Sequence, residues 1–339
     1  MAASNGVPNG VTKDGVSAKS YGIIGLGIMG WGMAKNLRAK IPTKSVLNVC
    51  EVNKDRRDEF ISSTPGKIRA AESPLDIFKK SDIIITMVPR GEHVREVFTN
   101  PQTGLLSAPG CTAAGPKTFI DCSTIDVKTS QEIAASVEKS GKGTFVDAPV
   151  SGGQGGANAG TLTFMVGGSS EVFDIIKPVL ELMGKPENIF HCGKAGAGLA
   201  TKLINNYLSA VNMIGVCEGM NMGRLYGLDP VLLAGVINAS TGMSRNSREQ
   251  NPVKGVSSVA SSANDFEGGF STELCHGVLQ MSIELSKQLG AKSMLAPVVT
   301  DMYDCAVQSE KCHGKDFRSI YRLFAEDSGN ELPQGSQTK

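Results

Sequence analysis

Lys202, Asn205 and Asn206 form a Lys-x-x-Asn-Asn cluster in a stretch that reads as helix. Residues four apart on a helix share a face, so Lys202 and Asn206 point the same way, and Asn205 lies close beside them. A lysine near the start of a helix and out of water loses basicity, because burial disfavours its charged form. Such an amine can take the proton of a hydroxyl as hydride leaves the carbon. A lysine whose ammonium reaches solvent is the plainer alternative.

Two glycine-rich segments could hold the other parts of such a reaction. Gly25-Leu26-Gly27-Ile28-Met29-Gly30 follows an apolar run and opens a helical pattern. Gly25 permits the tight turn, Gly27 admits a pyrophosphate to the backbone, and Gly30 allows close packing of helix on strand. The helix start then offers free N–H groups and positive dipole to phosphates. Glu51 closes the next apolar run, where a carboxylate can accept from both ribose hydroxyls and repels a 2′-phosphate. Val52 follows it, not arginine. Those features favour NAD over NADP; Lys54, Arg56 and Arg57 fit equally well as a solvated helix face. Further on, Ser151-Gly152-Gly153 presents backbone N–H groups and a hydroxyl without obstructing side chains, which suits a small carboxylate. A flexible inter-strand loop is the other reading of that segment.

The elements needed to position these groups are legible as alternating patterns. Apolar runs at YGIIG (21–25), SVLNVC (45–50), DIIITMVP (82–89), TFIDCS (118–123), TFVDAPVS (144–151) and LTFMVGG (162–168) read as strands. Helical patterns fall at 54–62, 73–80, 91–98 and 126–140. That alternation predicts a parallel sheet of βαβ units. After residue 193 the character is helical throughout: 195–226, a helix opened by Asp229-Pro230, then 272–290, 295–312, and 316–326 capped by Asp316. The expected fold class is α/β, a Rossmann-type dinucleotide-binding domain (21–193) joined through a long helix to an all-helical substrate and dimerisation domain (194–327). Residues 1–20 and 328–339 read as disordered tails.

Composition narrows the class. A length of 339 residues suits two domains. Lys plus Arg (34) balances Asp plus Glu (33), so no basic footprint for nucleic acid stands out. The apolar stretch 203–217 carries Asn205, Asn206 and Asn212 and is too polar for a membrane span. Eight cysteines include no Cys-x-x-Cys pair, and the three His–Cys neighbours fit no zinc spacing, so no metal is expected and the thiols read as buried or inert. The first twenty residues lack arginine and make a poor transit peptide, which favours the cytoplasm over the mitochondrial matrix.

From Tyr21 to about Glu326 the sequence resembles the β-hydroxyacid dehydrogenases. GLGIMGWGMAKNL, IDCSTID (120–126), FVDAPVSGGQGGANAGTLTFMVGG and GAGLATKLINN (196–206) match that family's motifs, and NPVKGV, SANDFEGGF and KDFRSIYRLF resemble its 3-hydroxyisobutyrate-oxidising branch. The resemblance implies that Lys202 is the general acid/base and that Asn206, with Asn205, holds the reacting substrate. It implies that Ser151, Gly152 and Gly153 bind the carboxylate and that Val88, Pro89 and Thr124 line the cofactor cleft. Two positions depart from the pattern. Gly277 and Val278 replace a Lys-Asp pair whose lysine sits near the cofactor, and His93 stands where asparagine contacts it; His276 is a candidate replacement cation. The implied activity is reversible NAD-linked oxidation of a small β-hydroxy acid, with 3-hydroxyisobutyrate favoured, in a homodimer or homotetramer. The alternatives are reduction of tartronate, glyoxylate or succinate semialdehyde, and an NAD-binding pseudoenzyme acting through partners.

Overall fold

The structure is a computed structural model that describes residues 20–109 and 115–325. The expected tails, apart from Ser20, and Cys111 lie outside the described residues. Two compact units divide the chain, one ending at Lys202 and the other beginning at Leu203.

The first unit runs β1 (Tyr21–Ile24), α1 (Ile28–Lys40), β2 (Leu47–Cys50), α2 (Lys54–Ser63), β3 (Ile68–Ala70), α3 (Pro74–Lys80), β4 (Ile83–Thr86) and α4 (Gly91–Thr99). It continues β5 (Lys117–Asp121), α5 (Val127–Ser140), β6 (Gly143–Asp147), β7 (Val150–Ser151), α6 (Gly153–Ala159), β8 (Leu162–Gly167), α7 (Ser170–Leu180) and β9 (Gly184–Gly193). Strands β3-β2-β1-β4-β5-β6 lie side by side and all parallel. Their side chains alternate between two cores. Tyr21, Ile23, Ile83, Ile85 and Ile120 face one cluster with Met33, Phe60 and Ile176. Ile24, Ile84 and Phe119 face the other with Ile77, Val94 and Ile133. Helices therefore cover both faces, which is why β1, β2 and β4 are mostly apolar, without a polar face, and buried along their whole length, with Asn48 and Thr86 as the buried polar exceptions. Local caps start α2, α3 and α5: the side chains of Asn53, Ser73 and Asp126 accept from the backbone N–H groups of Arg56, Asp76 and Thr129.

The sheet departs from a purely parallel one beyond β6. TFVDAPVS is two strands, because Ala148-Pro149 interrupts the ladder and proline has no N–H to donate. β6 and β7 both pair antiparallel to β8, and β9, absent from the sequence reading, pairs parallel to β8. β3 is also new; Ile-Arg-Ala is too short and mixed to show a period. The segment Gly153–Ala159 is a helix, not a loop. Glycine disfavours helix by about 1 kcal/mol per residue, so this one depends on packing: the Asn36 amide donates to the carbonyls of Gly32, Ala157 and Asn158, tying α6 to α1.

The second unit is helical. α8 (Ala197–Tyr226) is followed by α9 (Pro230–Ala239), α10 (Arg245–Arg248), α11 (Thr272–Gln288), α12 (Ala296–Gln308) and α13 (Tyr321–Ala325). The side chain of Asp229 accepts from the Leu232 N–H, with Pro230 opening α9. Asp316 caps a 3-10 turn over 317–320 that leads into α13, so the expected single helix is two segments. Met213, Cys217, Met220, Leu279, Val299, Tyr303 and Phe317 form the core. No helix among the described residues is long and apolar enough to cross a membrane.

Candidate active site

The glycine turn after β1 assigns a different constraint to each glycine. Gly25 has φ +95°, and a Cβ on it would lie 2.2 Å from the carbonyl oxygen of Met87 at the end of β4. A Cβ on Gly30 would lie 2.0 Å from the carbonyl oxygen of Gly25. Gly27 is exposed and meets nothing within 4 Å. Two glycines thus close the turn onto α1 and β4, and the third leaves space in front of it. Gly27 also stands at the helix N-cap, where no side chain satisfies the first N–H groups of α1. Leu26 is buried, Met29 packs against the core beneath, and Ile28 is 60% exposed.

Glu51 does more than end β2. Its Oε2 accepts from the Leu26 N–H at 2.6 Å and its Oε1 from the Asn53 N–H at 3.0 Å. The carboxylate ties the glycine turn to the start of α2 and keeps lone pairs for further donors. Val52 beside it is 98% exposed. The basic residues that follow are not one solvated face. Arg56 Nε donates to the Leu26 carbonyl, and its guanidinium lies 5.0 Å over the Trp31 ring. Arg57 is buried and paired with Asp58 and Glu72.

The ends of β4, β5 and β6 continue the same edge. The Val88 N–H donates to Ser123 Oγ, and the Ser123 N–H and Thr86 hydroxyl both donate to Asp121 Oδ1. Asp121 and Asp147 are register partners on β5 and β6. Both are fully buried, and burial raises both carboxyls, Asp121 to about 6. Asp121 Oδ2 has no partner. Pro89 is exposed and Thr124 half-buried at these strand ends. His93 lies in the first turn of α4, and its Nδ1 is buried without a partner.

Lys202 lies in the second turn of α8, 8% exposed, and burial lowers its amine from 10.5 to about 8. Asp147 holds that helix from below. Its Oδ1 accepts from the Gly196 N–H at 2.7 Å, and its Oδ2 from the Leu199 N–H at 2.9 Å. Asn206 follows one turn after Lys202, and its Oδ1 accepts from the Asn205 amide at 3.3 Å. Ser151 pairs with Thr163 on β8, while Gly152 (φ +132°) and Gly153 (φ +61°) turn exposed backbone into α6.

Gly277, on α11, has open space where a side chain would begin. His276, the candidate replacement cation, is engaged by a carboxylate on the neighbouring helix. Its Nε2 lies 2.6 Å from Asp304 Oδ1 on α12, and successive helical residues diverge by about 100°. The other His–Cys neighbours are likewise separately engaged: His191 bonds the Gly168 carbonyl, and His313 lies 3.1 Å from Glu273. Cys305 is exposed and Cys192 half-buried, so not every thiol is a core residue.

The spacing of Asp147, Asp121, Ser123 and Gly198 does not by itself point to chemistry; the one local signal is a carboxylate ending each of two consecutive strands, in IDCS and VDAP.

Comparison with known proteins agrees with this architecture. A family model described as the NAD binding domain of 6-phosphogluconate dehydrogenase matches residues 20–193. One described as the NAD-binding domain of NADP-dependent 3-hydroxyisobutyrate dehydrogenase matches residues 196–324. The chain is 37% identical, over 93% of both sequences, to a probable mitochondrial 3-hydroxyisobutyrate dehydrogenase of Dictyostelium discoideum. It is 35% identical to the 3-hydroxyisobutyrate dehydrogenase of Pseudomonas aeruginosa, over 89% of this chain and 97% of that one. Among solved structures, the 3-hydroxyisobutyrate dehydrogenase of Mycobacterium tuberculosis with L-serine superposes with a TM-score of 0.80 at 32% identity, covering 91% of this chain and 99% of that one.

Proposed function

The chain belongs to the β-hydroxyacid dehydrogenase family, and from that premise we propose that it oxidises 3-hydroxyisobutyrate reversibly to methylmalonate semialdehyde with NAD. The observation that carries the mechanism is the buried Lys202 amine, held near 8 by desolvation. NAD, when bound, supplies the hydride acceptor. The open space before Gly27, the uncapped start of α1 and the carboxylate of Glu51 fit its pyrophosphate and ribose. Val88, Pro89, His93 and Thr124 are assigned to its remaining contacts.

Lys202 accepts the proton of the substrate hydroxyl at Nζ in the oxidative direction and returns it in the reductive one. Asn206, with Asn205, orients the substrate, and Ser151, Gly152 and Gly153 hold its carboxylate. Fixing hydroxyl, carboxylate and cofactor together removes the entropy cost of their meeting. L-serine, bound in the mycobacterial structure, has the same 3-hydroxy carboxylate skeleton. Residues 21–193 are assigned to the cofactor and 194–327 to substrate and assembly.

Assembly as a homodimer or homotetramer belongs to the same reading. Ile204, Leu208, Met222, Leu225 and Tyr226 on α8, and Val231, Leu232 and Val236 on α9, are more than half exposed, a concentration of apolar surface that marks an interface. The proposed compartment is the cytoplasm; the mitochondrial matrix is the alternative, since the Dictyostelium relative is named as mitochondrial, and host fractionation would identify it.

The test is NADH formation from 3-hydroxyisobutyrate by wild type and Lys202→Ala, beside L-serine, glycerate, glycolate and 4-hydroxybutyrate. Loss of turnover in the variant and preference for 3-hydroxyisobutyrate are expected. Equal rates in the two proteins would remove Lys202 from the mechanism, and no turnover with any acid would leave the NAD-binding pseudoenzyme.

A further inference from the structure

Helix α8 lacks a local cap. The residues before it, Gly193, Lys194, Ala195 and Gly196, carry no side-chain acceptor, although a serine or aspartate there would satisfy its first N–H groups cheaply. The acceptor instead comes from Asp147, 49 residues before Gly196 and 52 before Leu199. That carboxylate is fully buried at the end of β6, where desolvation costs far more than at an exposed cap. Nothing about helix formation alone requires so expensive an arrangement.

The surroundings are shaped around the same carboxylate. A Cβ on Gly198 would lie 2.2 Å from the Met165 carbonyl oxygen and 2.9 Å from Asp147 Oδ2. A Cβ on Gly167 would lie 2.3 Å from Asp147 Oδ1. Strands β6 and β8 and the first turn of α8 thus converge with no side chain between them. Lys202 follows Gly198 by four residues and Leu199 by three, so it rises directly from the clamped turn.

We infer that Asp147 is the positioning residue for Lys202: by binding the Gly196 and Leu199 N–H groups, it fixes the first turn of α8 on the sheet and so sets the place of the reacting amine. The inference rests on the reading of Lys202 as the proton acceptor. Misplacement by about 1 Å costs on the order of 100-fold in rate, which gives the clamp a catalytic consequence. Of the charged groups, Asp121 on β5 is the register partner of Asp147 and Lys194 immediately precedes the helix, while the lowered basicity of Lys202 comes from burial.

The test is Asp147→Asn in the full chain with saturating NAD and 3-hydroxyisobutyrate. The amide keeps the shape but turns an N–H toward one of the two backbone donors. A kcat loss of roughly 10- to 100-fold is expected, with KM for NAD within about twofold of wild type. The alkaline rise in oxidation should also move up from about 8 toward the ordinary lysine value of 10.5 as the turn loosens and water reaches Lys202. Wild-type kcat, or a loss with the rise unmoved, overturns the inference, since a purely structural defect lowers activity at every pH alike. Amide exchange in the wild type decides the matter if the variant does not fold. Gly196 and Leu199 N–H groups as slow as those of β6 support the clamp, and exchange typical of a frayed helix start overturns it. Lys202→Ala separates the two claims: a fully active Lys202→Ala defeats the acid/base reading, while the exchange result still judges the clamp.

Discussion

The Glu51 carboxylate and the Leu26 N–H, 25 residues apart, meet at 2.6 Å, so the residue expected to bind ribose also holds the glycine turn in place. On the proposed reading, cofactor contact and the geometry of the turn are therefore one property of the site. Glu51→Ala should raise KM for NAD by about tenfold or more, the loss of one charge-assisted hydrogen bond of about 1.5–3 kcal/mol. Discrimination against NADP should fall with it, because the charge opposing a 2′-phosphate is gone. Steady-state kinetics with both cofactors measure this; an unchanged NAD/NADP ratio would count against Glu51 as the selector.

Lys202 titrates near 8 in the folded protein against 10.5 ordinarily. Oxidation, which needs the neutral amine, should rise with pH through about 8, and reduction, which needs the ammonium, should fall through the same range. A pH profile of kcat in each direction checks both limbs.

The same shift has a stability consequence. Between the folded and ordinary values the unfolded chain binds more protons, so stability climbs as pH rises from about 8 to 10.5, and the penalty is fully present below 8. At ~1.4 kcal/mol per pH unit the penalty is on the order of 3 kcal/mol. Lys202→Met should be inactive yet more stable than wild type at neutral pH, and that advantage should vanish at high pH. Thermal unfolding at pH 7 and pH 10 would reveal the difference; a less stable Lys202→Met at pH 7 contradicts it.

Glycine substitutions should separate binding from folding. Gly27→Ala places a methyl in open space, so the protein should fold normally and lose NAD affinity. Gly198→Ala and Gly30→Ala drive a methyl to 2.2 and 2.0 Å from backbone oxygens, overpacking that costs about 1–3 kcal/mol or more. Urea midpoints beside NAD titrations distinguish the two classes, and a Gly27→Ala protein that binds NAD like wild type would move the pyrophosphate elsewhere.

Gly277 lies in α11 with free space around it. Gly277→Ala should stabilise the protein by about 1 kcal/mol through helix propensity alone. Gly277→Lys restores the family's residue and should lower KM for NAD several-fold while Gly277→Ala leaves it unchanged. Equal KM values in the two variants would show that the departure has no bearing on the cofactor.

The order of motifs, the alternation of strand and helix, the switch to an all-helical second half and the family were all legible in the residues themselves. Those signals are local: apolar periodicity, an Asp-Pro start before α9, a glycine turn between β1 and α1, each complete within a dozen residues. What lay beyond that range depended on the folded chain. VDAP shows an aspartate at a strand end, but not that Asp147 grips Gly196 and Leu199 some fifty residues on. The glycines of 153–159 argue for a loop until α1 supplies Asn36 to hold them as helix. A strand after residue 184 emerges only because β8 offers it an edge. Lysine in a Lys-x-x-Asn-Asn helix could equally have been solvated; desolvation, which depends on everything packed around Lys202, was decided by tertiary structure alone.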